Sequence, residues 1–326
     1  MGEEVLVTGA GGFIGSHLCE ALVRDGAKVR AFVHYNARND WGALEWVAPE
    51  TRGALQVISG DVCDPFAVRA AVRGCSTVFH LAALIAIPYS YRSPQIFFAT
   101  NVLGTLNVMQ AALDEGVRRV VHTSTSEVYG TAREVPIPET HPLQAQSPYS
   151  ASKIGADKVA ESFHFSFGLP VVTVRPFNTF GPRQSARAVV PTIAVQALAG
   201  RDVALGTLTP TRDLLFVEDT ARGMIAAARS DRALGQVVNL GTGREISIGD
   251  LAKKAIAACG SSARVVHDPQ RLRPKESEVE RLCASNARAR ELLGWEPRVT
   301  LEEGLVRVVD FLRANLARYK AGIYNT

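Results

Sequence analysis

Thr8-Gly9-Ala10-Gly11-Gly12-Phe13-Ile14-Gly15 decides how this chain is read. It follows the apolar run Val5-Leu6-Val7 and leads into the helical pattern Ser16-His17-Leu18, so the local order is strand, glycine turn, helix. Glycine admits positive φ and lets a backbone approach a ligand closely, while a helix N-terminus offers unpaired N–H groups and a partial positive charge. Together they make a cradle for a pyrophosphate. A plain tight turn also uses glycine, but the flanking strand and helix favour dinucleotide binding.

The same alternation continues outward. Short β-branched runs at Val5 to Val7, Val29 to Val33, Leu55 to Ile58, Thr77 to Leu81, Arg119 to Thr123 and Val171 to Arg175 are separated by helical patterns at 15–25, 64–73, 101–115 and 150–167. Such a pattern predicts βαβ units and a parallel sheet buried on both faces. The expected fold is α/β, a doubly wound, Rossmann-like parallel sheet with a smaller C-terminal substrate lobe. Residues 1–175 are assigned to the dinucleotide-binding domain, with 212–240 returning to it, and 176–211 with 241–326 to the lobe. Between Pro176 and Pro210, prolines and glycines become frequent, and the segment reads as loops with one helix near 189–199.

Composition limits the function classes. The 326 residues are 47% hydrophobic, enough for a large core. Lys and Arg (36) barely outnumber Asp and Glu (32), and the charges are well mixed, which argues against a nucleic-acid-binding surface. The five cysteines lie far apart without zinc-ligand spacing and read as reduced packing residues, so no metal is expected. The N-terminus leaves no room for a signal peptide before Val5, and the longest apolar stretch, around Thr77 to Pro88, is too short for a bilayer. A cytoplasmic protein without membrane partners is the expectation.

Two further features carry chemistry. Tyr149 and Lys153 stand four residues apart, on one face of a helix whose start is marked by Ser147-Pro148. A tyrosine titrates near pH 10, and a neighbouring ammonium is expected to draw that value down, making a base. About twenty residues after the glycine turn, the second strand ends His34-Tyr35-Asn36 with no acid for a ribose hydroxyl. His34, Asn36 and Arg38 are then candidate contacts to the cofactor ribose, NADP is slightly favoured, and NAD held by backbone groups remains open.

Glycines 9, 12 and 15 match the Thr-Gly-x-x-Gly-x-x-Gly turn of short-chain dehydrogenases, and with Tyr149 and Lys153 the chain resembles the extended members that act on nucleotide sugars, the 4,6-dehydratases and epimerases. The resemblance spans Thr8 to Trp295. It implies a tightly bound NAD or NADP recycled in each turnover, a nucleotide-sugar substrate and a homodimer built on helices 101–115 and 150–167. It places Gly9, Gly12, Phe13, Ile14, Gly15, Asp61, Val62, Leu81, Ala82, Ala83 and Asn101 along the cofactor, although Asn101 could instead only orient backbone. Tyr89, Asn178, Arg183, Arg187, Arg212 and Arg273 fall on the substrate side, where an arginine fork suits phosphate.

Thr125-Ser126-Glu127 is similar to the Ser-Glu form of GDP-mannose 4,6-dehydratases, and also to UDP-glucuronate decarboxylases; dTDP-glucose 4,6-dehydratases carry Asp at the middle position. The resemblance makes Thr125 the partner of the oxidised hydroxyl, Glu127 the base at C5 and Ser126 a doubtful general acid. The stretches Ile85 to Tyr91, Gln184 to Ala188 and Ile323-Tyr324-Asn325 resemble the nucleotide-N-acetylglucosamine 4,6-dehydratases of legionaminic-acid biosynthesis. The implied function is dehydration of GDP- or UDP-linked N-acetylglucosamine to a 4-keto-6-deoxy sugar. The rivals are a UDP-hexuronate decarboxylase or 4-epimerase, and a catalytically silent NAD(P) sensor.

Overall fold

The protein is described here by a computed structural model covering residues 2–323; Tyr324 and Asn325 lie outside the described residues. The first half of the chain alternates strands and helices: β1 (Glu4–Thr8), α1 (Phe13–Arg24), β2 (Lys28–His34), α2 (Pro49–Gly53), β3 (Leu55–Gly60), α3 (Pro65–Val72), β4 (Thr77–His80), α4 (Ile87–Arg92), α5 (Pro94–Phe98), α6 (Gly104–Asp114), β5 (Arg119–Thr123), α7 (Pro148–Phe167) and β6 (Val171–Pro176). The second half is less regular: β7 (Asn178–Phe180), α8 (Val189–Leu198), β8 (Val203–Leu205), β9 (Thr211–Arg212), β10 (Leu214–Phe216), α9 (Val217–Arg229), β11 (Val237–Leu240), β12 (Ile246–Ser247), α10 (Ile248–Ala258), β13 (Val265–His267), β14 (Arg281–Leu282), α11 (Ala287–Leu293) and α12 (Leu301–Asn315).

Seven strands form one parallel sheet in the order β11-β6-β5-β4-β1-β2-β3. Every residue of β4 and β6 is buried, which explains why these strands read as continuous apolar runs rather than alternating ones. One face packs Leu18, Cys19 and Leu22 of α1 with Ala221 and Met224 of α9. The other packs α3, α6 and α7 through Val72, Val108, Met109, Ala160 and Phe163. The strand order reverses beside β1, so a crevice opens at the carboxyl ends of β1 and β4, where open α/β sheets bind their ligands.

The expected helix near 189–199 is α8, but the segment around it is not all loop. Its short strands β7, β8 and β9 pair with β10, β13, and both β12 and β14, respectively. Strands of two or three residues carry no periodicity of their own and form only when a distant partner arrives. α8, α10 and α12 close a second core through Ile193, Val195, Leu251, Val308 and Leu312. All five cysteines are free. Cys63 corrects the expectation of packing roles, because it is exposed in the turn after β3 while the other four are buried.

The helical run Pro94–Asp114 is 21 residues long with hydropathy 1.4, enough by length and composition to cross a bilayer. Here it forms a layer against α3 and α7, leaving Ile96, Phe98, Leu103 and Leu106 exposed.

Candidate active site

The glycine turn is shaped by contacts that exclude a side chain. Gly9 has φ +71°, and a Cβ there would stand 2.8 Å from the backbone nitrogen of Ala82. A Cβ on Gly15 would stand 2.2 Å from the Gly9 carbonyl oxygen. The turn is therefore pressed against the segment after β4, where the amides of Leu81 and Ala82 both donate to the Thr8 hydroxyl at 3.2 Å. Gly12 caps α1 with no side-chain hydrogen bond, leaving Phe13 and Ile14 to present the first helical N–H groups. A cradle that a Cβ would fill, at the N-terminus of a twelve-residue helix, fits a dinucleotide phosphate. Gly15→Ala is expected to open the turn, at a cost of about 1–3 kcal/mol, and to empty the cofactor site. Urea unfolding and the nucleotide released on denaturation measure both effects.

Helix α7 begins with Ser147, whose hydroxyl accepts the Ser150 amide at 3.1 Å while the Ser150 hydroxyl accepts the Ser147 amide at 3.0 Å, a reciprocal cap with Pro148 in the first turn. This start fixes the helix phase and points Tyr149 and Lys153 inward. Tyr149 packs with Ile87 and Phe97, and burial pushes its phenol upward; the Thr125 hydroxyl beside it offsets part of the rise, while Glu127 and Asp157 add to it. Lys153 donates to the Thr123 carbonyl at 2.8 Å. Its ammonium is pushed down to about 8 by burial, which Asp157 opposes. The expected depression of the tyrosine is thus corrected in this structure, because burial outweighs the Thr125 hydrogen bond while the Lys153 ammonium is directed at the Thr123 carbonyl.

Behind these residues lies a buried carboxylate. Asp157 accepts His122 Nε2 at 3.1 Å, the Ser124 hydroxyl at 2.8 Å and the Arg175 guanidinium at 2.9 Å. Burial opposes its ionisation, but the His122 hydrogen bond and the Arg175, His122 and Lys153 charges hold it down at about 2, against an ordinary 3.8. A depressed carboxylate contributes stability that is complete above its unfolded value and lost as pH falls through its folded one. The unfolding free-energy difference between wild type and Asp157→Asn is therefore expected to shrink by roughly 2 kcal/mol between pH 5 and pH 2. Denaturant titrations across that window check it.

The substrate side is lined by arginines drawn from distant segments. Arg212 is buried on β9, donates to Glu278 at 3.3 Å and lies within electrostatic reach of both Glu127 and Arg273. Arg273 faces the same Glu278 at 3.6 Å through a buried guanidinium nitrogen that makes no hydrogen bond. The Asn178 side-chain oxygen is likewise buried without a partner. A buried donor and a buried acceptor that make no hydrogen bond fit a polar ligand. Glu127 reaches both this cluster and Tyr149. The segment carrying Arg273 and Glu278 is tied across the site: Ser277 meets the Tyr91 hydroxyl at 2.6 Å and donates to the Gln146 carbonyl at 2.5 Å. Glu278, Ser277 and Gln146 were not picked out from the sequence, since nothing local marks residues that meet across about 130 positions.

A family model described as GDP-mannose 4,6 dehydratase matches residues 6–308. The chain belongs to this family. Among its relatives, a dTDP-glucose 4,6-dehydratase of Streptomyces antibioticus is 36% identical over 96% of this chain and 93% of that protein. A UDP-glucose 4-epimerase of Mycolicibacterium smegmatis is 34% identical over 94% of this chain and 98% of its own length. In structure, the DesIV dTDP-glucose 4,6-dehydratase double mutant of Streptomyces venezuelae, solved with NAD and DAU, superposes with a TM-score of 0.86 at 30% identity, covering 97% of this chain and 98% of that one. The protein is thus an enzyme of the nucleotide-sugar 4,6-dehydratase and epimerase family.

Within this dehydratase family frame, several expected contacts are placed differently. Asn36 accepts the amides of Arg38 and Asp40 at 3.1 Å each and donates to the Asp40 carbonyl at 2.7 Å, so its amide builds its own loop rather than facing a ribose. Arg38 is exposed on that loop; His34, also exposed, faces Asp61 at 3.9 Å. Asp61 also holds the Cys63 amide, and Val62 is buried beneath Gly104. Asn101 donates to the Leu84 carbonyl and to Ser152 and accepts the Leu84 amide, which makes it a clamp between the segment after Ala83 and α7. Arg183, expected at the substrate, is buried against Glu20 and His17 of α1. Its backbone sits in the left-handed region, φ +70°. Arg187 is exposed on the same loop, and Tyr89 is half-exposed with its ring 6.0 Å from Phe97. Ser126 is buried, and Thr125 caps the turn that carries Glu127.

Proposed function

We propose that this protein is a nucleotide-sugar 4,6-dehydratase that converts GDP- or UDP-linked N-acetylglucosamine to its 4-keto-6-deoxy form. The observation that carries the reading is the position of Glu127, a carboxylate within electrostatic range of both the Tyr149 phenol and Arg212. Oxidation alone needs no such group; removal of a C5 proton does. The segments Ile85 to Tyr91 and Gln184 to Ala188 support the N-acetylglucosamine choice by resemblance.

The bound nicotinamide supplies a hydride acceptor at C4 and later the donor at C6. Tyr149 takes the 4-hydroxyl proton while Thr125 hydrogen-bonds the same oxygen and Lys153 supports the negative charge. The 4-ketone acidifies C5, and Glu127 removes that proton. The C6 hydroxyl then leaves as water, taking a proton from Ser126 or through a bound water, and once C6 has received hydride the proton held by Glu127 returns to C5. Arg212, Arg273 and Asn178 hold the diphosphate and sugar. NAD is preferred over NADP, because the Asp61 carboxylate near the end of β2 disfavours a 2′-phosphate and Asn36 is occupied in its own loop. The exposed apolar residues Ile96, Phe98, Leu103 and Leu106, along the helical run Pro94–Asp114, support a homodimer formed through that run.

A 4-epimerase or hexuronate decarboxylase is the second reading, favoured by Ser126 in place of an acid and by the epimerase relative. Incubation with UDP-glucuronate and with UDP- and GDP-N-acetylglucosamine separates them by product mass. Loss of water from an N-acetylglucosamine nucleotide supports the proposal. Unchanged mass with a new epimer, or loss of carbon dioxide from the glucuronate alone, rejects it, and no turnover at all points to a dinucleotide sensor.

A further inference from the structure

Asp157 belongs to no motif that brought the site to light, yet more of the catalytic region is attached to it than to any group discussed above. It lies two turns beyond Tyr149 and one beyond Lys153, so all three share a face of α7. Its carboxylate receives His122 of β5, Ser124 just past the end of that strand, and Arg175 of β6. Thr123, between those two residues and the last of β5, is the one whose carbonyl accepts the Lys153 ammonium at 2.8 Å. Two residues further on, Thr125 stands beside the phenol. Arg175 continues the chain to the Tyr129 hydroxyl at 3.0 Å, which donates to Asn239 on β11 at 2.7 Å.

We propose that Asp157 is the positioning residue of the catalytic helix: by binding β5 and β6 to α7 it fixes the Thr123 carbonyl under Lys153 and keeps that ammonium charged beside Tyr149. Geometry and charge act together. Among the described residues Lys153 donates to no carboxylate, and a buried ammonium held by a neutral carbonyl tends to lose its proton. The charged and titratable groups around it are Tyr149 and Asp157 on α7, His122 on β5, His80 on β4, Arg175 on β6 and Glu127 in the turn after β5. Burial keeps both histidines neutral near pH 7. Glu127 presses on the phenol, and Arg175 is bound to Asp157 itself, so Asp157 is the negative charge that supports Lys153.

The test uses no sugar, so it stands apart from the choice of substrate made above. Protein freed of endogenous nucleotide is titrated with NADH from pH 6 to pH 10, following fluorescence. A cation at the crevice favours an anionic dinucleotide, so affinity falls as Lys153 deprotonates, with a midpoint near the value of about 8. Asp157→Asn should move the midpoint down, and Arg175→Met, which frees the carboxylate to act on the lysine alone, should move it up. Asp157→Glu should return it towards wild type. A purely structural role predicts weaker binding and lower melting temperatures with the midpoint unmoved, and that result overturns the proposal, as does a shift of both variants in the same direction. If Asp157→Asn does not fold, Arg175→Met alone decides: an upward midpoint supports the proposal and an unmoved one overturns it. With whichever nucleotide sugar is turned over, kcat of Asp157→Asn should fall on the order of 10²-fold with KM little changed, as expected for a displaced catalytic group.

Discussion

Replacing Tyr149 with Phe is expected to lower kcat by about 10²–10⁴-fold, the range attributable to one positioned acid or base. The substitution removes one hydroxyl from a ring packed against Phe97 and Ile87, so fold and cofactor content should stay close to wild type. Because burial raises the phenol while Lys153 sits near 8, the free tyrosine holds its proton at neutrality. It becomes a base only when a developing charge is offered within the closed site. Activity should therefore rise with pH up to about 8, above which Lys153 loses the charge that supports the phenolate, and Tyr149→Phe should lose the rising limb along with the rate. Rapid mixing with the nucleotide sugar, watching reduced nicotinamide absorbance, reads the first oxidation directly. A Tyr149→Phe enzyme that still builds up reduced cofactor at the wild-type rate would remove the phenol from the reaction.

Glu127→Gln should separate the two halves of the chemistry. Oxidation at C4 needs Tyr149, Lys153 and Thr125, all of which remain, so reduced cofactor should accumulate on mixing. Abstraction at C5 needs a carboxylate, so formation of the 4-keto-6-deoxy product should fall by about 10²–10⁴-fold. Exchange of the C5 hydrogen with deuterium oxide, measured by mass, should disappear with it. Glu127 is only partly buried and borders Arg212, so the amide keeps the shape of the site and the effect can be read as chemistry. Product formed at the wild-type rate would exclude this base assignment, and would bring the epimerase reading forward.

The places where the sequence expectations changed share a physical origin. Asn36 was assigned from its distance along the chain to the glycine turn, but a short amide side chain can satisfy its own loop, and here it does. Arg183 stands in a family-like stretch, yet its guanidinium reaches α1, because the loop after β7 is laid against that helix. Tyr149 and Lys153 are both buried on α7, as their four-residue spacing allows, whereas the sign of the tyrosine's shift depends on how much apolar surface surrounds it. Desolvation is a property of packing and leaves no mark on the four-residue spacing.

What the amino-acid order determined by itself is what obeys short-range rules. The strand, glycine turn and helix at residues 4–24, the run of buried β-strands through Val171 to Arg175, the cap at Ser147-Pro148 and the common face of Tyr149 and Lys153 follow from residue spacing, φ preferences and capping within a few positions. Tertiary structure alone decided which charges meet. Arg212, Arg273 and Glu278 converge with Glu127 across about 150 residues, and Asp157 gathers partners from β5 and β6, because Coulomb and hydrogen-bond energies depend on distances set by the packed core rather than by position in the chain.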